Sequence, residues 1–136
     1  MNSLALLQLS DKLNIPVYNF RIKNKKAFCI QDAIAVDFNR IETERECKQI
    51  ISEELGHVIC GALYPLSHCG NRLYSSNIKW QERKATDYSL KLQVPLNELM
   101  FAIDNCTDDY EIADTLDIDL NTLYEAVNYY KRKGKL

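Results

Sequence analysis

The sequence predicts a small α+β domain, in which one helix and a short sheet precede a series of longer helices. Residues 17–38 alternate between apolar and polar side chains, with a turn candidate at 24–26. On both sides of this stretch the apolar residues recur at helical spacing. A chain of 136 residues with 46% hydrophobic residues is sufficient for one modest core. We therefore expect a single domain over residues 1–136, with a helical pair at its C-terminal end, 108–133.

The first half is expected to hold one helix and three strands. Residues 3–14 predict a short amphipathic helix that ends before Pro16, because the residue before a proline disfavours helical backbone. Leu4, Leu7 and Leu13 lie near one face of that helix. The strands are predicted at 17–22, 28–30 and 33–36, and we expect them to form a small antiparallel sheet.

A capping box predicts the start of a long helix. The hydroxyl of Thr43 can accept a hydrogen bond from the amide of Glu46, whose side chain can reach back. The helix is expected to run to about Leu63, before Pro65. Its apolar stripe comprises Cys47, Ile51, Leu55, Val58, Ile59 and Ala62.

The second half is expected to be helical throughout. A long helix is predicted at 77–91, stopped by Pro95, and a short one at 96–103. The remainder, 108–133, predicts two helices that are separated near Asp117-Ile118-Asp119.

Charge and composition exclude several classes of protein. A formal net charge of −2 argues against nucleic-acid binding through bulk charge. The apolar start lacks the basic residues of a signal peptide, and no apolar run reaches membrane-spanning length. The five cysteines are an odd number without C-x-x-C spacing, which favours free thiols over a disulfide framework. We expect a cytoplasmic protein with no membrane partner.

The candidate metal-binding and catalytic residues of the long helix lie in the segment Glu53-Glu54-Leu55-Gly56-His57. Residues four apart share one helix face, so Glu53 and His57 project together, as the histidines of H-E-x-x-H do. Glu54 points about a quarter turn away, where a general base reaches a metal-activated water without being a ligand. Gly56 and Gly61 each cost about 1 kcal/mol in a helix, which indicates a close approach to its backbone.

A catalytic zinc ion usually has three protein ligands, and Glu82 is the best candidate for the third. On the next long helix it shares a face with Ile78, Ala85, Ser89 and Leu92. A carboxylate on an apolar face is costly unless it is paired or binds a cation. The alternatives are an ion pair with a cation such as Arg83, or simple exposure to solvent.

The segment 47–57 resembles the active-site helix of the ImmA/IrrE-type metallopeptidases, which are found on phages and integrative elements. The stretch 81–85 with Pro95, and the C-terminal helices at 110–131, are also similar to that family, so the resemblance covers nearly the whole chain. It implies a zincin-like domain in which an acidic residue, here Glu82, supplies the third metal ligand. It also implies a partner, a repressor protein of the same mobile element.

The chain departs from the family at Glu53, where the motif has histidine. Two carboxylates and one imidazole favour zinc less strongly and move the preference towards Mn²⁺, so Zn²⁺, Mn²⁺ and no metal are all open. His68, which follows the helix, is an alternative ligand or a substrate-orienting residue, or an exposed loop histidine.

Three functional hypotheses follow from these residues and from the resemblance, which supplies the repressor as the partner. In the first, His57, Glu82 and Glu53 bind the metal and Glu54 is the base of an endopeptidase that cleaves a repressor. In the second, an inactive homologue binds the repressor or another regulator without cleavage. The third, DNA binding by a helix-turn-helix at 111–130, is disfavoured because acids stand where lysine or arginine would meet phosphates.

Overall fold

The computed structural model describes residues 1–60 and 72–136, and in the second segment it describes side chains from residue 79 onwards. Six helices and a three-stranded sheet in this part of the chain form an α+β domain, as predicted. The helices are α1 (Ser3–Lys12), α2 (Glu44–Cys60), α3 (Arg72–Gln93), α4 (Leu96–Asn105), α5 (Asp109–Leu116) and α6 (Leu120–Arg132). The strands are β1 (Val17–Asn19), β2 (Ala27–Ile30) and β3 (Ala33–Val36), followed by a 3-10 turn at Phe38–Arg40.

The sheet is mixed, so the prediction of an antiparallel sheet is wrong for β1. Strands β2 and β3 form the predicted antiparallel hairpin, but β1 pairs in parallel with β3 on its other side. All four residues of β3 are buried, and the most apolar strand takes the centre of the sheet. The connection from β1 to β2 is shaped by Arg40, whose guanidinium donates to the carbonyls of Ile22 and Lys25 at 3.0 and 2.6 Å.

The apolar face of α1 also differs from the prediction. Leu6 and Ser10, four residues apart, face the core with exposed fractions of 0% and 1%. Leu4 and Leu13, which were expected on the buried face, are 62% and 43% exposed. The short sheet and α2 cover only a narrow stripe of α1, so a leucine-rich sequence did not by itself identify the buried side.

The predicted start of α2 and the predicted break between α5 and α6 are confirmed, whereas α3 begins at Arg72 instead of the predicted 77. Thr43 Oγ1 accepts from the Glu46 amide at 3.1 Å, and the Glu46 carboxylate accepts from the amide of Glu42 at 3.3 Å. Asp117 adopts a left-handed backbone conformation with φ 52°, which ends α5 before α6 begins. The predicted end of the long helix, 61–65, lies outside the described residues.

Two hydrophobic clusters lie on opposite sides of α3. One joins α1, the sheet and α2 through Leu6, Ile34, Ile51 and Leu55, with Leu92 from α3. The other joins the end of α3 to the last three helices. Its largest members are Leu90, Leu99, Leu116, Ile118, Leu123, Tyr129 and Tyr130. Helix α3 therefore presents one face to each cluster.

Tyr130 is expected to make stability sensitive to alkaline pH. Its hydroxyl donates to the Val94 carbonyl at 2.6 Å, and burial raises the pKa of Tyr130 to about 12, from an ordinary value of about 10. The folded protein thus favours the neutral phenol, and this stability is complete below about pH 10 and is lost as the pH rises towards 12. Urea unfolding of Tyr130→Phe at neutral pH should show a loss of about 1–3 kcal/mol.

The same variant should show a shallower decline in stability between about pH 10 and 12 than the unmodified protein. Tyr110→Phe, at a tyrosine that is 70% exposed, is the control and should leave both quantities unchanged. If stability declined equally steeply above about pH 10 in Tyr130→Phe and in the unmodified protein, the raised pKa of Tyr130 would not be the cause of the decline.

Candidate metal centre

Helices α2 and α3 cross in very close contact at Gly56. A Cβ atom at this position would lie 2.5 Å from the backbone oxygen of Ala85. The close approach predicted from the presence of glycine in this helix is thereby confirmed for Gly56, whereas Gly61 lies outside the described residues. The crossing places the next residue of α2, His57, opposite Glu82, three positions before Ala85 on α3.

His57 has a carboxylate at each of its two ring nitrogens. Its Nε2 lies 3.2 Å from Glu82 Oε2, and its Nδ1 lies 3.8 Å from Glu54 Oε2. Hydrogen bonding with Cys29 and Glu54, and more weakly with Glu82, raises the pKa of His57 to about 11 although partial burial opposes this. This shift favours the imidazolium form of the ring at neutral pH, and a cation that binds one of its nitrogens would displace a proton.

Glu53 lies on the same face of α2 but is directed differently. Its Oε1 accepts a hydrogen bond from the Gln49 side-chain amide, one turn earlier, at 3.2 Å. Although the residue is exposed, desolvation of its carboxyl group raises the pKa of Glu53, and the bond from Gln49 acts in the opposite direction. Glu53 therefore lines the cleft beside His57 and Glu82 with its carboxylate bonded to Gln49.

A cleft with a volume of about 260 Å³ lies between α2 and α3 and is also lined by Thr122 and Glu125 of α6. Its floor includes Ala85 and Ser89, both buried as the predicted inner face of α3 requires. Leu92 on that face is buried too, whereas the side chain of Ile78 lies outside the described residues. All three residues predicted as metal ligands, Glu53, His57 and Glu82, line the cleft.

The structure adds Cys29, which sequence reasoning had treated only as a thiol. Cys29, Glu54 and His57 each place one ligand atom so that all lie within 4.8 Å of one another. In the part of the chain that the structure describes, this is the only group of three such residues that meets this distance. The alternating burial of β2, with Ala27 and Cys29 turned inward, was the available signal, but only the packing of β2 on α2 identifies the partner residues.

The donor atoms near His57 are compatible with a divalent cation. Two bonds of about 2.0–2.2 Å in tetrahedral geometry separate their donors by roughly 3.3–3.6 Å. The His57–Glu82 separation of 3.2 Å is close to that value, and the His57–Glu54 separation of 3.8 Å needs only a small adjustment. Imidazole, carboxylate and thiolate are all established zinc ligands. Because Nδ1 and Nε2 point away from each other, one ion can be shared with Glu82 at Nε2 or with Glu54 at Nδ1, but not with both. The donor types at each edge fit zinc, and Glu53, which bonds to Gln49, would have to turn to complete the Nε2 edge.

Two further predictions concern other residues of the sequence. His68 lies outside the described residues. The α5–α6 turn contacts α2 through Arg45, whose guanidinium nitrogens lie 3.5, 3.2 and 3.8 Å from Asp114, Asp117 and Asp119. This acidic turn is unfavourable to phosphate, but the absence of DNA binding stays a prediction.

Comparisons with protein-family models, curated proteins and solved structures give no significant match. The resemblance to the ImmA/IrrE-type metallopeptidases therefore stays a prediction from the sequence. Within residues 1–60 and 72–136, the helices are too short or too polar for any of them to cross a membrane.

Proposed function

We propose that the chain is a metal-dependent, endopeptidase-like hydrolase that acts on a protein partner in the cytoplasm, with zinc as the first candidate metal. The observation that carries the proposal is the pairing of His57 on α2 with Glu82 on α3 at 3.2 Å, inside a cleft that Glu53 also lines. Imidazole and carboxylate from two helices, on either side of a close helix crossing, are a typical way to build a catalytic metal site.

Each residue of the centre has a distinct role in this proposal. His57 and Glu82 hold the cation through Nε2 and Oε2, and Glu53 completes the set after its carboxylate leaves Gln49. A bound zinc ion would polarise the scissile carbonyl and make water more acidic. In this structure Glu54 faces Nδ1, the other edge of the ring, so its side chain would have to turn towards the cleft to act as a base. Its carboxylate would accept the proton of the attacking water and later donate it to the leaving amine.

The substrate in this proposal is a repressor protein, as the resemblance to the ImmA/IrrE-type metallopeptidases implies. The cleft volume of about 260 Å³ lies just below the range of about 300–1,000 Å³ that is usual for small-molecule pockets. It has room for one or two side chains of an extended segment. The cleft therefore suits a flexible segment of a protein more than a folded surface.

A non-catalytic binding protein is the second candidate, and a specific contact favours it. The carboxylate of Glu53 is bonded to Gln49, and His57 already has Glu82 and Glu54 as partners. These carboxylates thus have hydrogen-bond or ion-pair partners within the protein without a cation, although the negative charges outnumber the one imidazolium. In that case the chain would bind the repressor and leave it intact.

Metal analysis together with a cleavage assay tests the proposal. Protein purified without chelator is analysed by emission spectroscopy and incubated with the repressor encoded beside it. One equivalent of zinc or manganese, with cleavage that chelation abolishes and metal restores, is the expected result. Absence of bound metal together with intact repressor binding would establish the second candidate instead.

Glu53→His is expected to strengthen zinc binding. The substitution replaces a hard anionic ligand with an imidazole on the same face of α2, which suits zinc better than a second carboxylate. Zinc titration in competition with a chelator should give a lower dissociation constant than the unmodified protein. Glu53→Gln is the matched control, because it also removes the charge but supplies no imidazole. Equal zinc affinity in the two variants would show that position 53 is not a ligand position.

A further inference from the structure

We propose a second cation site on the opposite edge of the same histidine, formed by Cys29, Glu54 and His57 and suited to a soft divalent ion of the zinc class. The three residues come from two separate elements, since Cys29 is on β2 and the others are on α2. Their ligand atoms lie within 4.8 Å of one another, and all three side chains are half-buried. Because Glu54 faces Nδ1, this nitrogen is the ligand atom at the second site.

The chemistry of the donors selects the kind of ion. Thiolate and imidazole together favour zinc, cobalt and related ions over magnesium or calcium, which prefer oxygen. On binding, the Cys29 thiol loses its proton to solvent and becomes a metal thiolate, and His57 binds in its neutral form. The carboxylate of Glu54 provides the third bond. The alternation of β2 directs Cys29 towards α2, so these donors need no rearrangement of the sheet.

Occupation of the second site conflicts with the proposed catalytic arrangement. A cation bound at Nδ1 engages Glu54, which the proposed function requires as a free base, whereas the catalytic cation uses Nε2 with Glu82. This consequence rests on the proposed function, but the existence of the second site does not. An ion at the second site would therefore hold the hydrolase inactive.

Cobalt substitution distinguishes the two positions by absorption spectroscopy. Co²⁺ bound to a cysteine gives an intense thiolate-to-metal charge-transfer band in the near ultraviolet, which a site of imidazole and carboxylates lacks. We expect this band in the unmodified protein, its loss in Cys29→Ser, and its retention in Cys106→Ser, where the cysteine lies at the end of α4. It should also be retained in Glu82→Gln, because Glu82 contacts Nε2 and is not one of the three proposed donors. Circular dichroism shows whether each variant is folded.

Cobalt binding without a thiolate band would overturn the second site while leaving a centre at His57 and Glu82 intact. A band that persists in folded Cys29→Ser, or that disappears in folded Glu82→Gln, would equally overturn it. Failure to cleave the repressor would instead count against the proposed function, because the cobalt spectrum does not depend on activity.

Discussion

Glu54→Gln is expected to lower the rate of repressor cleavage by about 10²–10⁴-fold, the range typical for loss of a general base. Glutamine has nearly the same shape but cannot accept the proton of the attacking water. Because the proposed catalytic cation is held by His57 and Glu82 on the other edge of the ring, one equivalent of zinc should still bind. Initial rates at equal zinc content provide the measurement.

Glu42→Gln is the matched control for this experiment. It makes the same change of charge at an exposed residue just before the start of α2, away from the cleft. Its rate should equal that of the unmodified protein. A Glu54→Gln protein that cleaves at the normal rate with zinc bound would remove Glu54 from the proposed mechanism.

Gly56→Ala is expected to reduce the free energy of unfolding by roughly 1–3 kcal/mol, as overpacking of a close contact does. The added Cβ would lie 2.5 Å from the Ala85 carbonyl oxygen, and that backbone atom cannot move without displacing α3. The gain of about 1 kcal/mol in helix propensity opposes this loss but does not remove its cause. Urea unfolding measures the difference.

Ser52→Ala is the matched control, since it introduces the same residue on the same helix one turn earlier. Ser52 is fully buried, and its Oγ has no hydrogen-bond partner among the described residues. Removing a buried hydroxyl of this kind should leave stability unchanged or increase it by about 1 kcal/mol. If Gly56→Ala were as stable as Ser52→Ala, the crossing at Gly56 would not be limited by backbone contact.

The helices of this fold were largely predictable because their signals are local. The Thr43–Glu46 capping box, Pro95 and the Asp117 break act within one turn of chain. The order of the strands was not predictable in the same way, because it depends on which strand can be buried on both faces. The continuous apolar run of β3 indicates a central strand, and β1 then has to pair on the side that β2 leaves open.

In the candidate centre, too, the features set by local sequence were predictable and those set by long-range packing were not. Placing Glu53, Glu54 and His57 on one stretch of α2 required only helical periodicity, and the inner face of α3 pointed to Glu82. Their directions depend on neighbours that the motif does not contain, as the bond between Gln49 and Glu53 shows. The contribution of Cys29 required knowledge of how β2 packs on α2, which is a contact between residues far apart in the chain.

The buried side chain of Lys48 connects α2, the helix that carries His57, to the end of α5. It is 3% exposed, and its Nζ donates to the Leu116 carbonyl, at the end of α5, at 2.7 Å. Burial lowers the pKa of Lys48, while nearby carboxylates, first among them Asp117, oppose this. If α5 separated from α2, this ammonium group would lose its buried acceptor. We therefore expect Lys48 to couple the two hydrophobic clusters on either side of α3, so that opening the C-terminal helices would also weaken the helix that carries His57.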